Sequence, residues 1–110
     1  MSNTWERVEG IIGSDNLNLL AQKKVGVVGL GSGGGFVALS LAMSGVRNFA
    51  LVDNDNIEAG NVTRHVADLR YVGQNKATAV ADLIKNRNPD AIIDVKKFIS
   101  KKNVEIKNFE

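Results

Sequence analysis

A chain of 110 residues, 44% hydrophobic and 24% charged, has the length of one packed domain and is too apolar for a disordered segment. Fourteen basic and twelve acidic residues leave a net charge of +2, a near balance that gives no field strong enough to argue for nucleic acid. With no cysteine present, disulfides, thiolate metal sites, a cysteine nucleophile and a thioester step on these residues are excluded.

The start has no signal-like character and no apolar run approaches the roughly 18 residues of a membrane span, so the chain reads as soluble and cytoplasmic. Residues 1–24 read as an N-terminal arm with a short helix. Trp5, Val8, Ile11 and Ile12 are mixed with charges without a sustained period, and residues 2–13 are expected to be an arm or an irregular helix. Ser14 then stands as a cap before Leu17, Leu19, Leu20 and Ala21, whose spacing predicts a helix over 14–22.

Residues 25–99 read as one Rossmann-like unit. The compact β-branched run at 25–28 predicts a parallel strand buried on both faces. After the glycines, the nearly all-apolar stretch 36–44, closed by Gly45, predicts a helix buried against a sheet. Residues 49–52 give a second strand ending at Asp53, which completes a strand–helix–strand unit. Residues 54–73 are polar and irregular apart from a turn of helix near 66–69, and loops this long in compact domains tend to be functional. Residues 75–88 have helical spacing with Pro89 as the stop, and 91–95 form the third strand.

The tail, 100–110, holds one helical turn around Val104 at most. The late basic cluster of Lys96, Lys97, Lys101, Lys102 and Lys107 reads as a solvated surface, with a polyanion site as the sharper reading.

The chemistry lies in the bend after the first strand. Gly29, Gly31 and Gly34 have the spacing G-x-G-x-x-G: the first permits a tight turn, the second lets backbone approach phosphate oxygens, and the third allows close packing of helix on strand. The amides of the following helix point at the same place, where anions are favoured. Glycine clusters also occur in plain turns. Here the loop follows a strand, precedes an apolar helix, and has Asp53 at a strand end about 20 residues on, suited to ribose hydroxyls.

A dehydrogenase and an adenylating enzyme share everything up to this point. Arg64 and Lys76 tilt the balance toward a nucleoside triphosphate, whose charge needs fixed cations more than a dinucleotide does. A dehydrogenase-like NAD domain and a non-catalytic dimerisation module stand as the rivals.

In order along the chain, Gly29-x-Gly31-x-x-Gly34, Asp53-x-Asp55, Asn61-x-x-Arg64, Gly73-x-x-Lys76 and Asn88-Pro89-Asp90 resemble the ThiF/MoeB/HesA family, relatives of ubiquitin-activating enzymes. The similarity runs from about Arg7 to Val95. It implies an α/β, Rossmann-like fold, a mostly parallel sheet with helices on both faces, in a truncated version that lacks the later part of the family domain. It also implies ATP and Mg²⁺ as cofactors and transfer of AMP to a carboxylate, often at the C-terminus of a ubiquitin-like or sulfur-carrier protein.

By position, the phosphate loop falls on Gly29, Gly31 and Gly34, the ribose role on Asp53, and the triphosphate roles on Asn61, Arg64 and Lys76. Asp55 matches the second acid of the D-x-D. Arg7 is similar to the family arginine that enters the neighbouring subunit's site, which implies a homodimer; a surface arginine is the other reading. No metal ligand is assigned, because the family's magnesium-binding Asp lies beyond the matched residues. Where the family shows Gln after the arginine, this chain has His65, read either as a polar residue holding the loop or as a protonatable contact to substrate.

Overall fold

The structure, a computed structural model, describes residues 4–96. The tail at 100–110, its expected turn at Val104 and all of the lysine cluster except Lys96 lie outside the described residues. Two short helices come first, α1 (Glu6–Ile12) and α2 (Ser14–Gln22), followed by β1 (Lys24–Val28), α3 (Ser32–Ser44), β2 (Asn48–Val52), α4 (Lys76–Arg87) and β3 (Ile92–Lys96). Between β2 and α4 the chain makes two 3₁₀ turns, Ala59–Arg64 and Leu69–Tyr71. No helix among the described residues is long and apolar enough to cross a membrane.

The strands form a parallel sheet in the order β1-β2-β3, with Val25 opposite Phe49 and Phe49 opposite Ile93. Val25, Val27, Phe49, Leu51, Ile93 and Val95 pack with Leu30, Ala38, Ala42, Ala77, Val80 and Ile84 into one core, so α3 and α4 share a face of the sheet. Two successive crossovers that step the same way along a sheet, with the same hand, place their helices on the same side. The alternate residues Lys24, Gly26, Val28, Ile92, Asp94 and Lys96 are exposed. In the central strand the alternate residues Ala50 and Val52 are buried, each 3% exposed.

The expectation that the first strand is buried on both faces is corrected. Its run of valines matches a central strand, but β1 is an edge strand here and Val28 is 62% exposed. The third helix also differs from expectation, starting at Ser32 rather than Phe36 and burying only Gly35, Ala38 and Ala42. Phe36, Val37 and Met43 face outward, each about half exposed. Glycines 33–35 are poor helix formers, but the close approach of this first turn to β1, described below, holds them helical.

Ser14 is the first residue of α2 and caps nothing, since Gly13 occupies the capping position with φ +87°. Residues 54–73 are better ordered than their polarity suggests, because Ile57, Ala67 and Tyr71 form a second small core with Ala79 and Leu83 of α4.

Asn75 joins this loop to the sheet. Its Oδ1 accepts from the Ala77 and Thr78 amides (2.9 and 3.3 Å), capping α4. Its Nδ2 donates to the carbonyls of Asp53 and Asp55 (2.9 and 3.3 Å). With Asn75 8% exposed, Asn75→Ala removes a cap and the donor to the half-buried Asp53 carbonyl, while the Asp55 carbonyl keeps the Lys76 amide. The expected loss is about 2 kcal/mol of stability by urea denaturation, with Asn75→Asp recovering only the cap.

Candidate functional site

The bend from β1 to α3 is built by three glycines with different constraints. Gly29 has φ +87°, open only to a residue without a Cβ at little cost. A Cβ on Gly34 would lie 1.8 Å from the Gly29 carbonyl oxygen, so helix and strand meet backbone to backbone. Gly31 is constrained by neither: its φ is −75° and a Cβ there meets open space. Any need for glycine at 31 comes from what approaches the loop from outside.

Asp53 holds the bend from below. Its Oδ2 accepts from the Leu30 amide at 2.6 Å and its Oδ1 from the Asp55 amide at 2.7 Å. A carboxylate oxygen accepts two hydrogen bonds, so each keeps one lone pair for a ligand hydroxyl.

Above the bend, Gly31, Ser32, Asn61, Arg64, His65 and Lys76 line a cavity of about 180 Å³. Pockets that enclose a whole drug-sized ligand start at about 300 Å³, so this one suits a group of phosphate size with the rest of a nucleotide outside it. No carboxylate lines it. The side chains of Arg64 and Lys76 make no hydrogen bond or ion pair among the described residues. Lys76 also opens α4, where the helix dipole disfavours a cation by a few tenths of a kcal/mol or more, a position that suits an anion bound alongside it.

Asn61 is oriented by the Glu58 amide, which donates to its Oδ1 at 2.9 Å and leaves the side-chain NH₂ as an unengaged donor. The groups with displaced titration lie outside the pocket. Burial, then the hydrogen bond to Asp82, pushes the Tyr71 hydroxyl up, and the Arg70 side chain holds the Asp68 carboxyl low.

Of the residues singled out in the sequence, the structure brings Gly31, Asn61, Arg64 and Lys76 together. Gly29, Gly34 and Asp53 shape and hold the bend. The Asp55 side chain is exposed and does not line the cavity; its carbonyl accepts from the Lys76 amide at 2.9 Å. Arg7 is exposed on α1 and does not line this chain's cavity either.

Sequence reasoning missed Ser32, which a serine inside a glycine run did not flag. His65, read as a holder of the loop or a substrate contact, is 8% exposed and hydrogen-bonded to backbone at both ring nitrogens. Magnesium finds no protein carboxylate in this cavity, and no cluster of three His, Asp or Glu able to hold a metal occurs among the described residues.

A model of the ThiF family matches residues 6–109. The chain belongs to the ThiF family. Among its ThiF-family relatives is the tRNA threonylcarbamoyladenosine dehydratase of Bacillus subtilis (strain 168), 36% identical over 107 residues, which cover 96% of this chain and 42% of the relative. The ubiquitin-like modifier-activating enzyme 5 of Bombyx mori is 34% identical over 80 residues, covering 73% of this chain and 20% of that enzyme.

Among solved structures, the E. coli tRNA N6-threonylcarbamoyladenosine dehydratase TcdA in complex with ATP superposes with a TM-score of 0.83 at 31% identity. The match covers 94% of this chain and 45% of that one. The ThiF-family chain described here thus spans less than half the length of the relatives it matches. ThiF-family membership and the parallel α/β architecture are as the motifs led one to expect.

Proposed function

We propose that this chain supplies the ATP-binding part of an enzyme that transfers AMP from ATP to a substrate carboxylate. The observation that carries this reading is the convergence of Arg64 and Lys76, from two different elements, on a cavity floored by Gly31 and free of acids. Arg64 is exposed and Lys76 half-buried, and neither is engaged by a protein acid, so both are available to an anion that enters the cavity. The ATP complex of TcdA, a relative aligned over nearly the whole of this chain, supports the identity of that anion.

In the proposed reaction a carboxylate oxygen attacks the α-phosphorus, an oxygen–phosphorus bond forms, and the bond to the leaving pyrophosphate breaks. Charge neutralisation and positioning supply most of the acceleration, so the chain needs no nucleophile of its own. Arg64, Lys76 and the Asn61 amide offset phosphate charge, the bare backbone at Gly31 admits the phosphates, and Asp53 offers its remaining lone pairs to the ribose.

The carboxylate we favour is the C-terminus of a ubiquitin-like or sulfur-carrier protein, a reading supported by the modifier-activating relative. A second reading, the carboxylate of a threonylcarbamoyl nucleoside in tRNA, is favoured by the dehydratases, whose similarity covers more of this chain. We place the enzyme in the cytoplasm as a homodimer, with Arg7 reaching the site of the second subunit.

Calorimetric titration with ATP and with NAD tests the core of this proposal. ATP binding that NAD does not displace is the expected result. Preference for NAD would replace adenylation by a dinucleotide-binding role, and a folded chain that binds neither would leave only a dimerisation module.

A further inference from the structure

His65 is wired to the glycine bend across 35 positions of sequence. Its Nε2 lies 2.6 Å from the Leu30 carbonyl oxygen, and its Nδ1 lies 2.9 Å from the Ala67 amide nitrogen. An amide can only donate, so Nδ1 is an acceptor and carries no proton. The proton therefore sits on Nε2 and is donated to the Leu30 carbonyl, which leaves the ring neutral with both nitrogens engaged. Gly35 makes room for this arrangement: a Cβ there would stand 3.2 Å from Val66 Cγ2 and 3.5 Å from His65 Nε2.

The Leu30 carbonyl belongs to the same peptide unit as the Gly31 N–H. In a trans peptide the two point in opposite directions, and no peptide bond among the described residues is cis. Holding the carbonyl against a buried ring therefore turns the Gly31 N–H away from that ring, at a residue that lines the cavity and stands at the N-cap of α3, a helix whose first amides lack intrahelical acceptors. The preceding peptide is held independently, because the Leu30 amide donates to Asp53 Oδ2. Two successive peptide planes of a glycine-rich bend are thus locked by side chains from the ends of two different elements.

Resting on the functional reading above, we infer that His65 is a positioning residue that sets the orientation of the Gly31 amide for a nucleotide phosphate, touching the backbone rather than the phosphate itself. Glycine on one side of that peptide allows it to rotate at little cost. Without the ring, part of the population turns the carbonyl, a repelling dipole, toward the phosphate, and the binding-competent fraction falls.

The test is ATP affinity of the 110-residue chain in three forms, each measured where circular dichroism shows it folded. His65→Leu removes both hydrogen bonds and is expected to bind ATP about tenfold more weakly or worse. His65→Gln supplies one acceptor and one donor, for Ala67 and Leu30 respectively, and is expected to return affinity to within about threefold of the wild type. In ¹⁵N spectra of the wild type, the Gly31 amide resonance is expected to shift on ATP addition, a readout that needs no variant to fold.

A wild-type chain that binds no ATP overturns the functional reading and this role with it. If the wild type binds and His65→Leu binds equally well, or the Gly31 amide does not respond, only the positioning role is overturned. That role is overturned as well if His65→Gln binds no better than His65→Leu.

Discussion

Gly34→Ala is expected to lose about 3 kcal/mol of stability or more, because among the glycines described an added Cβ meets its nearest atom at the shortest distance here. Overpacking a core costs about 1–3 kcal/mol when side chains can adjust around the addition. Here the new Cβ would sit 1.8 Å from the Gly29 carbonyl oxygen and 3.0 Å from its carbon, atoms of the backbone that cannot rotate out of the way. Relief requires α3 to move off β1, which opens the core around Leu30 and Ala38, both completely buried. For a domain of this size each kcal/mol corresponds to about 4–8 °C, so thermal unfolding should shift down by about 12 °C or more. Gly33→Ala is the control. A Cβ at Gly33 has nothing within 4 Å, and replacing a helical glycine is expected to leave stability unchanged or raise it by up to about 1 kcal/mol. Equal melting temperatures for the two variants would show that helix and strand are not in backbone contact.

Arg64→Ala and Lys76→Ala should each weaken ATP binding by about tenfold or more while leaving the melting temperature nearly unchanged. A hydrogen bond to a charged group contributes about 1.5–3 kcal/mol, and 1.4 kcal/mol corresponds to a factor of ten. Neither side chain makes a hydrogen bond or ion pair among the described residues, so their removal withdraws nothing from the fold. Arg70 is the matched control: its guanidinium pairs with Asp68 at 2.8 Å, both side chains are largely exposed, and it does not line the cavity. Arg70→Ala is expected to leave ATP affinity as it is. Raising salt should weaken wild-type binding and have a smaller effect on the Arg64→Ala, Lys76→Ala double variant. Loss of affinity in the Arg70 variant equal to that in the Arg64 variant would reduce the effect to net charge and remove the site.

The strands were legible almost to the residue, because each is a short run of β-branched or apolar residues between polar or glycine boundaries. The expected 49–52 and 91–95 stand against Asn48–Val52 and Ile92–Lys96. The start of α3 was not legible. Glycine at 33–35 argues against helix on propensity, and the opposing factor, backbone contact with Gly29, lies outside the local window. Ser14 shows the same limit, since a residue with good capping chemistry caps only where the chain enters the helix, and the entry residue is Gly13.

The site divides in the same way. Gly31 could be named from the spacing of the glycine bend and Arg64 and Lys76 from their charge in the loop that follows, whereas Asn61 entered only through the family resemblance. Ser32 could not, and the tie between His65 and Leu30 could not either.

The order of strand, glycine bend, helix and strand, and with it the bare backbone at which we propose phosphate binds, was determined by the sequence alone, because local spacing dictates it. Which face of the sheet the helices cover, the edge position of β1, and the turning of the Gly31 amide by His65 were decided only by the tertiary structure. These depend on pairings between residues 20 or more positions apart, such as Leu30 with Asp53 and Leu30 with His65. A hydrogen bond across that distance exists only once the sheet has brought its two partners together, so no window of neighbouring residues encodes it.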